Sequence, residues 1–265
     1  MLYIAIPARD EATTIGVLLW RLRTVFQDYP REYEVLVFDD GSTDATADVL
    51  APYTKALPLT VLGGATPVGY AAAVDALLRE AAARTRYPRR DAIILLQGDF
   101  TDAPEQIPEL VRRFEGGADQ VIAEREPHAA APREIVRLEQ LIRWIVRPAG
   151  LTPGTQDPCS SFRLIRLAMV RDLIKRAGGQ ALTSGPVLEA NLRLTHALVP
   201  VVRRVETVAV PRRFDLRQRS TRRRPWHDAW QLWKARRSLR PAVAARPEPP
   251  SPAVAARAPR AEASA

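Results

Sequence analysis

The sequence predicts an α/β protein built on a doubly wound, mostly parallel sheet with helices on both faces. Three observations carry that expectation. Over the first 125 residues, short apolar runs alternate with longer amphipathic ones in the order βαβαβαβ. The short runs are rich in Val, Ile and Leu without polar alternation, the pattern of strands covered on both faces. Polar clusters follow the runs that end at Ile6, Phe38 and Leu96, and open α/β sheets bind ligands beyond such strand ends.

Taken in order, strands are expected at residues 2–6, 34–38, 59–62, 92–96 and 120–123. Amphipathic helices are expected between them at 12–26, 44–50, 68–83 and 104–114. Thr43-Asp44 and Asp102 read as helix starts, the latter with Pro104 and Glu105 in the first turn. The second part is less regular. Residues 133–146 place Ile135, Leu138, Leu141, Ile142 and Ile145 on one helical face. Residues 160–165 alternate like a strand, 186–194 read as a short helix, and 201–210 as a strand ending at Pro211. In the stretch 222–239, Trp226, Trp230 and Trp233 recur at helical spacing. Residues 241–265 are rich in Pro, Ala and Arg with almost no large apolar side chain, a composition that cannot bury enough surface to fold. The expected division is a folded body over 1–215, a basic Trp-rich segment over 216–240 and a disordered tail over 241–265.

Composition narrows the function classes. Hydrophobic residues make up 46% and charged residues 26% of the 265, the balance of a soluble globular protein whose core needs no covalent staples. Cys159 is the only cysteine, which excludes a disulfide scaffold and a cysteine-based zinc site; it reads as a packed thiol. No apolar run approaches the ~20 residues of a membrane span. The chain opens directly on a strand, without a signal-peptide pattern, so the expected compartment is the cytoplasm. The net charge of +9 sits wholly beyond Leu216, where twelve Lys and Arg face three acids; the body is neutral. A basic segment on a neutral body points to a local anionic partner and makes nucleic acid the weaker choice.

Three acidic clusters occupy successive strand ends. They are Pro7-Ala8-Arg9-Asp10-Glu11, Asp39-Asp40-Gly41-Ser42-Thr43-Asp44 and Gln97-Gly98-Asp99-Phe100-Thr101-Asp102. Carboxylates converging on one crevice repel unless a cation or a hydrogen-bonding ligand compensates. The first two clusters can accept hydrogen bonds from a nucleotide's base and ribose, and a divalent ion can bridge the third to a diphosphate. Any single cluster is equally explained by turn and cap chemistry. Three in register at strand ends favour the shared site. His128, His196 and His227 have no ligand spacing and read as structural or surface residues.

These motifs resemble the family 2 glycosyltransferases of GT-A fold, most nearly the dolichol-phosphate (polyprenyl-phosphate) mannosyl- and glucosyltransferase branch. Ile6-Pro7-Ala8-Arg9-Asp10-Glu11 stands where that family has Pro-Ala-Tyr-Asn-Glu, and Val37-Phe38-Asp39-Asp40-Gly41-Ser42-Thr43-Asp44 is similar to its Val-Asp-Asp-Gly-Ser-Thr-Asp signature. Gly69-Tyr70-Ala71-Ala72-Ala73 resembles its small-residue helix start. Asp99 through Pro108 is similar to its metal motif followed by Pro-Glu-x-Ile-Pro. Asp157-Pro158-Cys159-Ser160-Ser161-Phe162-Arg163-Leu164 and Val208-Ala209-Val210-Pro211 resemble stretches of the lipid-phosphate branch. The likeness runs from about Tyr3 to Arg224.

The resemblance implies a hexose transferred with inversion from a nucleotide diphosphate sugar to a polyprenyl phosphate. Pro7, Arg9, Glu11, Asp39 and Asp40 would hold the nucleoside. Asp99, with Gln97, would hold Mg²⁺ or Mn²⁺ on the diphosphate. Gln97 stands where the family's Asp-x-Asp has its first aspartate, so the site has one charge fewer and binds metal more weakly or dispenses with it. Arg125 would contact the phosphates, and Arg213, Arg217, Arg222 and Arg223 lie where the family closes a basic flap; a solvated basic run is the alternative. Arg163 has two readings, an acceptor-side contact or an arginine paired with Asp157. The base-bearing Glu-Asp and Gln-x-x-Arg-Trp motifs of hydroxyl-acceptor members are absent. A phosphate monoester, largely dianionic near neutral pH with its second pKa about 6, attacks without a base. Glu189 and Asp157 remain alternative bases for a hydroxyl acceptor. Trp and Arg on one helix fit a peripheral element at the inner face of the cell membrane; a docking helix and single-stranded RNA binding are the alternatives. A degenerate domain that binds sugar nucleotides without turnover is the non-enzymatic alternative. A dehydrogenase is disfavoured, because no Gly-x-Gly-x-x-Gly follows the first strand.

Overall fold

The computed structural model describes residues 1–99, 102–125 and 155–210, together with residues 141, 144, 230, 232–235 and 239. Seven strands form one sheet: β1 (Leu2–Ala8), β2 (Tyr33–Asp40), β3 (Leu59–Gly64), β4 (Ala92–Leu95), β5 (Gln120–Arg125), β6 (Arg163–Arg166) and β7 (Val205–Val210). Their spatial order is β3-β2-β1-β4-β6-β5-β7. β1 lies between β2 and β4 and is parallel to both; β2 and β3 are parallel, as are β5 and β7. β6 is the exception, antiparallel to β4 and β5. The doubly wound, mostly parallel sheet expected from the sequence is the one observed.

Both faces are covered, which is why the strands read as unbroken apolar runs. Ile4 and Ile6 of β1 pack under α1 (Ile15–Asp28) through Ile15, Leu18 and Leu22, in a core that also takes Leu110 and Phe114 of α4 (Ile107–Glu115). Tyr3 and Ala5 point to the opposite face. There they meet Val74, Leu77 and Leu78 of α3 (Tyr70–Arg84), and Leu167, Val170 and Leu173 of α5 (Leu167–Ala177) share that core with Leu194 of α6 (Val187–Leu198). α2 (Thr46–Ala56) packs beside α1.

Several expectations shift. The helix expected at 44–50 continues to Ala56 through Pro52, which sits on the exposed side. The strand expected from 201 begins at Val205, because the amides of Val201 and Val202 both return to Leu198 O and close α6 in a tight turn. The strand expected from 160 begins at Arg163; Ser160 N bonds Asp157 O across a turn instead. α5 was not anticipated, although Leu167, Val170 and Leu173 recur every third residue and Gly178 ends it in the left-handed conformation at φ 55°. The expected helix at 133–146, most of the Trp-rich stretch and the tail 241–265 lie outside the described residues. No helix among the described residues is long and apolar enough to cross a membrane.

Candidate active site

Because β1 is flanked by two parallel neighbours, the carboxyl ends of β2, β1 and β4 line up at one edge. Ala8 pairs with Asp39, and Leu96 N bonds Ala5 O at 3.0 Å just past the end of β4. Gly98 lies against the first cluster: a Cβ there would sit 3.4 Å from Glu11 Cγ and 3.6 Å from the Pro7 carbonyl oxygen. The first two clusters are stitched together directly. Asp10 N donates to Ser42 Oγ (2.9 Å), Thr43 N to Asp10 Oδ1 (2.8 Å), Glu11 N to Thr46 Oγ1 (2.8 Å) and Ala12 N to Asp44 Oδ2 (3.1 Å). Asp10 adopts φ 51°, a left-handed conformation that Asp tolerates better than most side chains. The three strand-end clusters thus form one rim.

Within that rim the acids differ. Asp39 is half-buried; its Oδ1 accepts from Ser42 N (3.1 Å) and Ser42 Oγ (2.5 Å), and no described residue bonds its Oδ2. Asp40, 5% exposed, turns inward, where its Oδ1 accepts from Val68 N (2.5 Å) and Gly69 N (3.0 Å) at the start of α3. It therefore anchors the β3–α3 loop. Glu11 accepts from Thr14 Oγ1 at 2.8 Å while its carbonyl receives Thr14 N and Ile15 N, so it also shapes the entry to α1. Pro7 is half-buried and Arg9 is exposed at the tip of β1. Gly63 permits the close packing of the β2 end: at φ 104° its added Cβ would fall 2.1 Å from Asp39 O. Asp44 holds the start of α2. Its partial desolvation opposes ionisation, but donors from Thr46 Oγ1, Ala12 N and Thr46 N prevail and keep its carboxyl below the usual range.

At the end of β4, Gln97 and Asp99 are both half-buried beside this rim. Asp102 is 3% exposed and folds back: its Oδ2 accepts from Gln97 N (3.1 Å) and Ser161 Oγ (3.2 Å). The expected helix cap at Asp102 is not formed; Ala103 precedes the 3₁₀ turn Pro104–Gln106, with no side-chain cap. Among the described residues no three His, Cys, Asp or Glu side chains gather around a point that could hold a metal. The expected protein donors are the Asp99 carboxylate and the Gln97 amide. That is a sparse set, suited to Mg²⁺-like ions that take most ligands from water and substrate phosphates.

Arg163 lies within electrostatic reach of Asp157. It is fully buried, and its guanidinium donates to Thr195 Oγ1 (2.6 Å), to Ser160 O and to Pro158 O (3.5 Å). Burial lowers its pKa, with nearby Tyr70, Cys159, Asp157 and Asp102 opposing. A guanidinium donating to carbonyls inside the core holds the turn over Asp157–Ser160. Glu124 grips the same segment from β5, accepting from Thr155 Oγ1 (2.7 Å) and Gln156 N (2.5 Å). Glu189 pairs with Arg193 at 2.7 Å, one turn along α6. Arg125 ends β5 in register with Val210, its side chain outside the described set; Arg213, Arg217, Arg222 and Arg223 lie outside it altogether. In the Trp-rich segment, Leu232 (0% exposed) and Ala235 (3%) are buried while Trp230 (53%) and Trp233 (37%) face outward. Lys234 Nζ stands 3.4 Å over the Trp230 ring.

Known proteins share this architecture. The solved structure of glucosyl-3-phosphoglycerate synthase from Mycobacterium tuberculosis with phosphoglyceric acid superposes with a TM-score of 0.58 at 17% identity, covering 90% of this chain and 79% of that one. The same enzyme with Mn²⁺, UDP and glucosyl-3-phosphoglycerate gives 0.56 at 18% identity, covering 88% and 76%. The fold is therefore GT-A. In sequence, the bactoprenol glucosyl transferase of Shigella phage SfV is 27% identical over 173 residues, 64% of this chain and 53% of the relative. The chain thus spans about half the length of the curated relative it matches. The model of glycosyl transferase family 2 matches residues 3–174, which takes in all three strand-end clusters and Arg163; the chain belongs to that family.

Proposed function

We propose that this chain is a glycosyltransferase that moves a hexose from a nucleotide diphosphate sugar to a polyprenyl phosphate, inverting the anomeric centre. The observation that carries the proposal is the shared rim: the acidic strand ends of β1 and β2, stitched by five hydrogen bonds, with Gln97 and Asp99 at the end of β4 beside them. The bactoprenol glucosyl transferase relative supports the acceptor class.

Asp39 holds the nucleoside with its open oxygen, beside Glu11, Pro7 and Arg9. Asp40 contributes from behind by fixing the loop ahead of α3. Asp99 and the Gln97 carbonyl would hold Mg²⁺ or Mn²⁺, which would offset the charge of the leaving diphosphate. Arg125 and the Arg213, Arg217 and Arg223 region add further positive charge at the phosphates. The dianionic acceptor phosphate attacks the anomeric carbon directly, so no side chain need take a proton. Glu189, tied to Arg193, is poorly placed to act as a base for a hydroxyl acceptor. The outward Trp230 and Trp233 fit a protein peripheral to the inner membrane face.

The test is transfer from a panel of labelled sugar nucleotides to undecaprenyl phosphate and, separately, to soluble glycans and hydroxylated metabolites. Lipid-linked product is expected only with the phosphate. Product on a hydroxyl alone would replace the acceptor, and nucleotide binding without product on either would make the domain non-catalytic.

A further inference from the structure

We propose that Asp102 is a positioning residue that locks the turn after β4, which carries Gln97 and Asp99, to the turn that carries Asp157. β4 ends at Leu95, and Leu96 N takes the last strand bond, to Ala5 O. Gln97 N then has no strand carbonyl to reach, and the Asp102 carboxylate supplies its acceptor at 3.1 Å. The same oxygen accepts from Ser161 Oγ at 3.2 Å. Ser161, 2% exposed, is 59 positions downstream of Asp102 and belongs to the turn that Arg163 clamps through the Pro158 and Ser160 carbonyls. One buried carboxylate oxygen therefore fixes the backbone that carries Gln97 and Asp99 relative to the segment that carries Asp157. With little water to compete for its oxygen, a nearly dry carboxylate holds such bonds more firmly than surface contacts do. The inference deepens the proposed function and rests on it only in assigning the metal to Gln97 and Asp99.

The proposal separates geometry from charge. In Asp102→Asn the amide oxygen can still accept from Gln97 N and Ser161 Oγ, so the lock survives without its charge. In Asp102→Ala both donors lose their acceptor. Ser161→Ala unhooks one side only. Hydrogen exchange on the full chain reads this without any ligand. Asp102→Ala is expected to speed exchange about tenfold in peptides covering both 96–99 and 157–162, Ser161→Ala in 157–162 alone, and Asp102→Asn in neither beyond about twofold. Mn²⁺ titration by electron paramagnetic resonance with UDP present adds a second readout. Affinity should fall about tenfold in Asp102→Ala and stay within about threefold of the parent in Asp102→Asn, while UMP affinity holds in both. Unchanged exchange in Asp102→Ala overturns the lock. Equal loss of Mn²⁺ affinity in the Asn and Ala variants, with exchange still slow in Asn, overturns positioning in favour of direct ligation by the charge. A parent chain that does not bind Mn²⁺ counts against the metal in the proposed function, and the exchange pattern still decides the lock.

Discussion

Asp39 and Asp40 are neighbours in sequence with opposite expected phenotypes, and replacing each by Ala separates them. Asp40 is 5% exposed and receives two backbone amides, from Val68 at 2.5 Å and Gly69 at 3.0 Å, at the entry to α3. Each bond to a charged group is worth roughly 1.5–3 kcal/mol, and an anion at a helix start adds about 0.5 kcal/mol. Val68 is 56% exposed, so water can partly satisfy its amide once Asp40 is gone. The lower end of the range applies, and Asp40→Ala should cost about 3–4 kcal/mol out of a typical 5–15. For a domain of this size that is a fall of about 10 °C in melting temperature. Asp39 is held only by Ser42, so Asp39→Ala should cost about 1 kcal/mol, near 3 °C, while abolishing sugar-nucleotide binding. Thermal melts by circular dichroism, with calorimetric titration of the nucleotide, measure both. An Asp40→Ala melt within about 2 °C of the parent, or a larger loss in Asp39→Ala, would refute the division of labour.

Other outcomes follow from the same geometry. Asp99→Ala should abolish transfer while melting normally; near-parental turnover overturns the metal-site assignment. Arg163→Met should lower stability by about 2–3 kcal/mol in urea melts, because the Pro158 and Ser160 carbonyls and Thr195 lose their donor; a neutral result would show that the buried guanidinium holds nothing. Trp230→Ala with Trp233→Ala should weaken binding to phosphatidylglycerol vesicles about tenfold without moving the melt, and equal flotation of parent and variant would remove the membrane role. Asp44 titrates below the usual carboxylate range in the folded chain, so its contribution is present above about pH 4 and disappears as pH falls through its lowered folded value. Asp44→Asn should thus reduce stability at neutral pH and converge on the parent under acid, seen in melts from pH 7 to pH 2.5.

The first half of the sheet was legible because its signal is local. Val35, Leu36 and Val37 have no polar alternation since both faces are covered, and the Asp-Asp-Gly-Ser turn ends the strand where the register places it. What was not legible is which way each acid points. Asp39 and Asp40 differ by one residue, hence by one face of the strand, and only the arrival of Val68 and Gly69 shows which carboxylate is consumed. Asp102 looked like a helix cap because caps are chosen by neighbours in sequence, whereas its partner Ser161 arrives from a distant turn. Arg163 posed the same difficulty: arginines are rarely fully buried, and nothing in Ser-Phe-Arg-Leu announces that two carbonyls and a threonine enclose it. α5 was a missed signal, since its apolar spacing and Gly178 are both present in the sequence.

The reversed strand β6 also dictates an order of assembly. Ala92 of β4 finds its outer partner in Arg166, 74 positions later, so a nascent chain carries β4 with one open edge until β6 emerges. An unpaired apolar strand of that kind recruits other chains. Release of the polypeptide before residue 166 should yield aggregates, and a chaperone that shields Ala92–Leu95 during synthesis should raise the yield of intact protein.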